Sequence, residues 1–222
     1  MPLKIIKSQP VAKVETGKGV GQFTKSTDNS DLEGKKMIRD WCMDHFGGAS
    51  KTRVLELFGG LGKVHDACYT HPPVASHTAF ELRQVDRPTW VAGDNRILLP
   101  KYVNKGWDLF DLDAYSNPWI LALNICKLRK PGPQPFTFAV TCGLIRGLNT
   151  GKTNGYVRQA TGYNGLPDCG LLTRFYDDVV KCCVNDWRKH GVQVHKGVKI
   201  HSKGSHLVTY YGFLLSKPGA GT

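Results

Sequence analysis

The chain has 222 residues, 41% of them hydrophobic and 22% charged, the proportions of an ordinary globular domain long enough to bury a core. Its formal net charge of +12 attracts polyanions, nucleic acid first and an anionic membrane surface second. Seven cysteines occur without CxxC pairs or His/Cys ligand spacing, which argues against a disulfide framework and against a metal site. The opening MPLKIIKSQP lacks a signal-like apolar run, and no segment is long enough to span a bilayer. A reduced, cytoplasmic setting without membrane contact is expected.

Residues 1–29, rich in Lys, Gly, Ser and Thr, read as a basic N-terminal arm or cap, and 30–222 as the folded domain. A helix is expected from Ser30, with Glu33 completing a capping box. Leu32, Met37, Ile38, Trp41 and Phe46 recur at helical spacing until Gly47 and Gly48 end the run. Val54-Leu55-Glu56-Leu57-Phe58 then reads as a short strand that enters Gly59, Gly60 and Gly62. A helix over 63–69 follows, with strands over 77–81, 89–92 and 108–112. Pro118 starts a helix through Trp119, Ile120, Leu123 and Ile125, and 137–141 is a fifth strand. Residues 143–167 form a long glycine-rich stretch, of a length that is usually functional or disordered. An amphipathic helix over 168–190 stops at Gly191, and strands over 192–201 and 207–215 flank the turn signal Ser202-Lys203-Gly204-Ser205. This alternation predicts an α/β domain with a mostly parallel sheet and a terminal antiparallel hairpin.

The chemistry-bearing residues fall at the ends of these strands. A strand that runs into glycines lets backbone N–H groups approach a ligand closely at a helix N-terminus. Glu81 closes the next apolar run, Gly93-Asp94 the one after, and Asp113-Ala114-Tyr115-Ser116-Asn117-Pro118 the fourth. The ordered series, over roughly residues 50–215, resembles the class I S-adenosylmethionine (SAM) methyltransferases. That resemblance implies a seven-stranded mostly parallel sheet, helices on both faces, a C-terminal antiparallel hairpin and SAM as cofactor. Glu56, Phe58 and the turn Gly59, Gly60, Gly62 would hold the methionine end. Glu81 would accept hydrogen bonds from the ribose hydroxyls, with Asp86 the alternative because the interval to Asp94 is short. Asp94 would meet the adenine amino group, with Phe80 or Asn95 beside it. Taken singly, Glu56 reads as well as a cap partner, and Glu81 and Asp94 as plain strand-end acids.

The segment Asp111-Leu112-Asp113-Ala114-Tyr115-Ser116-Asn117-Pro118 resembles the Asp-Leu-Asp-Pro-(Phe/Tyr)-Gly-Ser-Pro signature of tRNA guanine-N2 dimethyltransferases, departing from it at Ala114, Ser116 and Asn117. The resemblance implies methylation of an exocyclic amine of a base in RNA or DNA, with Asp113, Tyr115 and Pro118 as the catalytic set. The carboxylate would accept the amine's proton while the aromatic ring stacks on the base. The plain alternative makes Tyr115 a turn aromatic and Asp113 a cap before Pro118. A second reading places a nucleophile at Cys142, as in pyrimidine carbon-5 methyltransferases. Methylation of a small molecule or a protein, and a non-catalytic nucleic-acid-binding module, complete the range of functions. From 114 to 167 there is no Asp or Glu. There Arg146, Lys152 and Arg158 alternate with Tyr156 and Tyr163, a pattern suited to phosphates and unpaired bases. His195, His201 and His206 alternate with lysines and read as a solvated face.

Overall fold

The glycine turn is fed by a strand in the interior of the sheet. In the computed structural model, which describes residues 4–5, 31–114, 118–143, 172–202 and 208–219, this strand is β2 (Arg53–Glu56). It pairs in parallel with β3 (Ser76–Glu81) on one side and β5 (Leu109–Leu112) on the other. β4 (Trp90–Ala92) lies outside β3, and β6 (Gly132–Cys142) lies beyond β5, both parallel to their neighbours. The hairpin β7 (Gln193–His201) and β8 (Thr209–Lys217) completes the series, with β8 antiparallel to both β6 and β7. The sheet order is β1-β7-β8-β6-β5-β2-β3-β4. The seven expected strands are therefore present in the expected sense. One addition is β1 (Lys4–Ile5), which lies parallel to β7 at the sheet edge.

Helices cover both faces. α1 (Leu32–Asp44) and α2 (Lys63–Cys68) lie on one face. α4 (Pro118–Leu128) and α5 (Leu172–Lys189) pack on the other, with α3 (Asn95–Tyr102). The cap of α1 is Asp31 rather than the expected Ser30. Its carboxylate accepts the Gly34 N–H at 2.9 Å, satisfying one of the helix's free N-terminal donors. Gly34 also lets α1 approach β8, because a Cβ there would stand 2.8 Å from the Tyr210 ring. The sequence pattern predicts no helix at α3. It is short, has Pro100 inside it, and begins beside a residue read as a strand-end acid.

Period-two alternation sorts the strand residues between two cores. Leu55, Phe110, Leu112, Phe136, Phe138 and Val140 face α4 and α5, where Trp119 and Trp187 are fully buried. Val54, Leu109 and Ala139 face α1 and α2 with Ile38 and Cys42. On that second face the same alternation also turns Glu56 and Asp111 inward, both with no exposed surface. No helix among the described residues is long and apolar enough to cross a membrane.

Candidate active site

Strand order reverses at β2: the chain runs outward through β3 to β4 on one side and then crosses back to place β5 on the other. Ligands of open parallel sheets bind outside the carboxyl ends of the strands at such a switch point. The glycine turn, Glu81 and Asp113 all leave the sheet there.

The turn is closed by backbone geometry and by one carboxylate. Gly60 and Gly62 take positive φ values of 53° and 84°, a conformation that strains any residue with a Cβ. The Gly59 N–H donates to the Phe80 carbonyl, and the Gly60 N–H donates to Glu81 Oε2 at 2.8 Å. Glu81 Oε1 accepts the Leu82 N–H at 3.0 Å. The strand-end acid and the glycine turn thus meet directly across β2 and β3. Trp90 packs against Gly59, where an added Cβ would stand 2.6 Å from its ring. Arg87 stacks over Trp90 at 5.4 Å and pairs with Asp66 of α2 at 2.6 Å. A groove of about 1040 Å³ beside this mouth is lined by Glu81, Asp86, Arg87, Trp90 and Ala92 among others, so both candidate ribose ligands face the same space. Leu61 and Leu82, on the connections leaving β2 and β3, and Ile97, in α3 after β4, are 72%, 71% and 63% exposed.

The remaining cofactor candidates are placed as follows. Asp94 caps α3 by accepting the Arg96 N–H at 2.8 Å, and its carboxyl is held down to about 2 by the hydrogen bonds from Arg96. The Asn95 amide donates to the Leu57 carbonyl, fixing the end of β2 to the start of α3. Phe58 is half-buried against the α4/α5 core. Glu56 is wholly buried beneath the turn, with Oε2 3.0 Å from His77 Nε2. Burial, then the neighbouring Asp111, push the Glu56 carboxyl well above its usual range.

A buried ionic layer joins α1 to β5. Arg39 makes a bidentate pair with Asp111 at 2.7 and 2.6 Å, and the Tyr69 hydroxyl donates to the same carboxylate at 2.6 Å. Lys35 Nζ donates to Asp113 Oδ2 at 2.7 Å. Two periodicities meet in this arrangement. Residues four apart on a helix are separated by about 6 Å along its axis, and residues two apart on a strand by about 6.6 Å. Lys35 and Arg39 therefore match Asp113 and Asp111 one to one. Burial works to raise the Asp113 carboxyl, but Arg39 and Lys35 outweigh it and hold it below the usual carboxylate range. Asp113 is 11% exposed at the end of β5, and Pro118 is buried as the first residue of α4.

Tyr115 lies outside the described residues, as do Arg146, Lys152, Tyr156, Arg158 and Tyr163. Cys142, the alternative nucleophile, is fully buried at the end of β6. Sequence spacing gave no sign of the Glu56, His65 and His77 cluster, whose ligand atoms all lie within 4.8 Å of one another. His65 and His77 are both lowered to about 4, burial being the largest cause for each, so both rings are neutral at pH 7.

Neither a family model nor a curated protein sequence matches this chain. Solved structures do. Trm1 from Pyrococcus horikoshii, determined with S-adenosyl-L-methionine, is 11% identical with a TM-score of 0.56, over 84% of this chain and 55% of that one. TYW2 from M. jannaschii, in complex with AdoMet, is 10% identical with a TM-score of 0.48, over 83% and 77%. This chain accounts for about half the length of Trm1. With the strand order above, the likeness to Trm1 shows the fold, an α/β domain of Rossmann-like type.

Proposed function

We propose that this chain is a SAM-dependent methyltransferase acting on an exocyclic amine of a base in RNA or DNA. The observation that carries the reading is the contact between Glu81 and the Gly60 amide. It brings a strand-end acid and a glycine turn to one mouth, one strand away from Asp113. The residues fit the cofactor. Gly60 has open space where a Cβ would stand, Glu81 keeps acceptor capacity toward ribose hydroxyls, and Asp94 is 27% exposed beside Asn95. Trm1, which shares the fold, was determined with S-adenosyl-L-methionine. Glu81 or Asp86 takes the ribose, Asp94 and Asn95 the adenine side, and Gly59 to Gly62 with Phe58 the methionine side. Glu56 supports the turn from beneath. When bound, SAM supplies an electrophilic methyl group.

Asp113 does the chain's own part of the chemistry. Lys35 fixes one oxygen of its carboxylate and keeps it ionised, and an ionised carboxylate at a strand end accepts an amine proton and so aims the nitrogen lone pair. Tyr115 stacks on the base and Pro118 anchors the loop to α4. Arg146, Lys152 and Arg158 contact phosphates, while Tyr156 and Tyr163 stack on unpaired bases. Residues 30–222 form the methyltransferase domain, and 1–29 a basic arm from which Lys4–Ile5 adds an edge strand to the sheet. The buried position of Cys142 favours amine chemistry over the carbon-5 route.

Calorimetric titration tests the cofactor assignment: SAM and S-adenosylhomocysteine should each bind one site, and binding of neither would remove its basis. Asp113→Ala should then lower turnover by about 100-fold or more with cofactor affinity nearly unchanged, because positioning acts on the transition state. Full activity of that variant would contradict the catalytic role.

A further inference from the structure

We propose that Glu56, His65 and His77 form a binding site for a divalent metal ion of the zinc class, set beneath the glycine turn. Glu56 ends β2, His65 lies on α2 and His77 on β3, so the site ties together the three elements that bracket Gly59 to Gly62. His77 Nε2 is 3.0 Å from Glu56 Oε2 and 3.3 Å from His65 Nδ1. A tetrahedral ion about 2.0–2.2 Å from nitrogen and oxygen donors holds those donors about 3.4 Å apart. The two separations from His77 lie within about 0.4 Å of that spacing, and the three ligand atoms all lie within 4.8 Å of one another.

A plain hydrogen-bond network explains the cluster less well. His77 Nε2 has one in-plane bonding direction but two neighbours, so it can donate to Glu56 Oε2 or pair with His65 Nδ1, and it serves one of them well, not both. His77 Nδ1 stands 3.2 Å from Thr89 Oγ1. A proton on Nδ1 donated to that hydroxyl leaves Nε2 as a free ligand atom, the arrangement that orients ligating histidines. The second Glu56 oxygen, Oε1, is buried without a hydrogen-bond partner, which is costly for a carboxylate. Charge points the same way. Of the three carboxylates turned into this layer, Asp111 and Asp113 have Arg39 and Lys35, whereas Glu56 meets an imidazole. Without a cation, burial favours the neutral acid at Glu56; a divalent cation bound there would hold it as the carboxylate. Two nitrogens and one carboxylate suit zinc, cobalt or nickel better than calcium or magnesium, which favour all-oxygen shells. His65, only half-buried, gives the route in, and three protein ligands leave a position for water.

The test uses the full-length chain, stripped of metal and titrated with Co²⁺ and then Zn²⁺. Occupancy is read without SAM or substrate, so it stands or falls apart from the methyltransferase reading. One equivalent of Co²⁺ should bind with the absorption bands of a tetrahedral site, be displaced by Zn²⁺, and raise the thermal midpoint. Thr89→Val should weaken binding by about 10–100-fold through lost orientation of His77. His77→Gln, which keeps a polar side chain of similar reach, should weaken it by about 100-fold or more with the far-UV spectrum unchanged. His195→Ala and His201→Ala should keep the single equivalent. Absence of the cobalt bands, or His65→Ala and His77→Gln binding as tightly as the unaltered chain, would overturn the proposal in favour of a metal-free hydrogen-bond network.

Discussion

The two faces of the sheet are built on different principles. Toward α4 and α5 the interior is aromatic. Trp187 meets Phe138 and Phe213 edge-on at 5.4 and 5.3 Å, and Trp119 meets Tyr211 at 5.4 Å. Toward α1 and α2 the sheet turns in Glu56 and Asp111, paired with His77 and Arg39. Apolar burial stabilises without direction, whereas a buried ion pair contributes little net stability but demands one geometry. The first face holds the sheet together. The second fixes where the ends of β2, β3 and β5 stand, and those ends carry the candidate site.

Stability measurements break this comparison most sharply. Trp187→Ala should cost about 3–5 kcal/mol through the cavity it leaves, and Asp111→Ala a similar amount by stranding the Arg39 guanidinium. The two losses should respond differently to repair. Joint replacement Arg39→Met and Asp111→Leu should recover most of the second loss while leaving methyl transfer impaired. Denaturant unfolding of the single and double variants checks this. A double variant no more stable than Asp111→Ala would show that the ionic layer itself stabilises the fold.

A smaller effect sharpens the role of the turn. Gly59→Ala forces a methyl group into the Trp90 ring and should cost about 1–3 kcal/mol. It should also weaken cofactor binding, measured by titration, because the Arg87 and Trp90 stack must shift. Unchanged affinity would detach that stack from the site.

The smallest effect is one of pH. Asp113 is depressed in the folded state relative to about 3.9 in the unfolded chain. Its contribution is therefore complete above that unfolded value and is lost as pH falls through the lower folded one. Lys35→Met removes one cause of the depression. It should flatten the acid limb of stability against pH below about 4, and an unaltered limb would contradict the pairing.

The positions of most strands along the chain were legible because the signals that mark them are local. Apolar runs ended by Glu81, Asp94 and Asp113 mark the strand ends, and glycines mark the turn. The polar face was not legible, since its partners are far apart in the chain. Lys35 and Arg39 meet Asp113 and Asp111 only because helix and strand repeats happen to match. Glu56, His65 and His77 likewise share no short spacing and meet only when β2, α2 and β3 assemble. Single residues also shifted locally. Asp31 displaced Ser30 as the cap of α1 because its carboxylate reaches the Gly34 N–H. α3 went unread because Pro100 interrupts its pattern.

The most direct measurement of the central claim is mass spectrometry of nucleosides from total RNA and DNA incubated with the chain and isotopically labelled SAM. The account predicts label on the exocyclic amine of one base, abolished by Asp113→Ala and retained in Cys142→Ala. Label on pyrimidine carbon 5 that is lost in Cys142→Ala, or no label on any nucleoside from a chain that binds SAM, would contradict it.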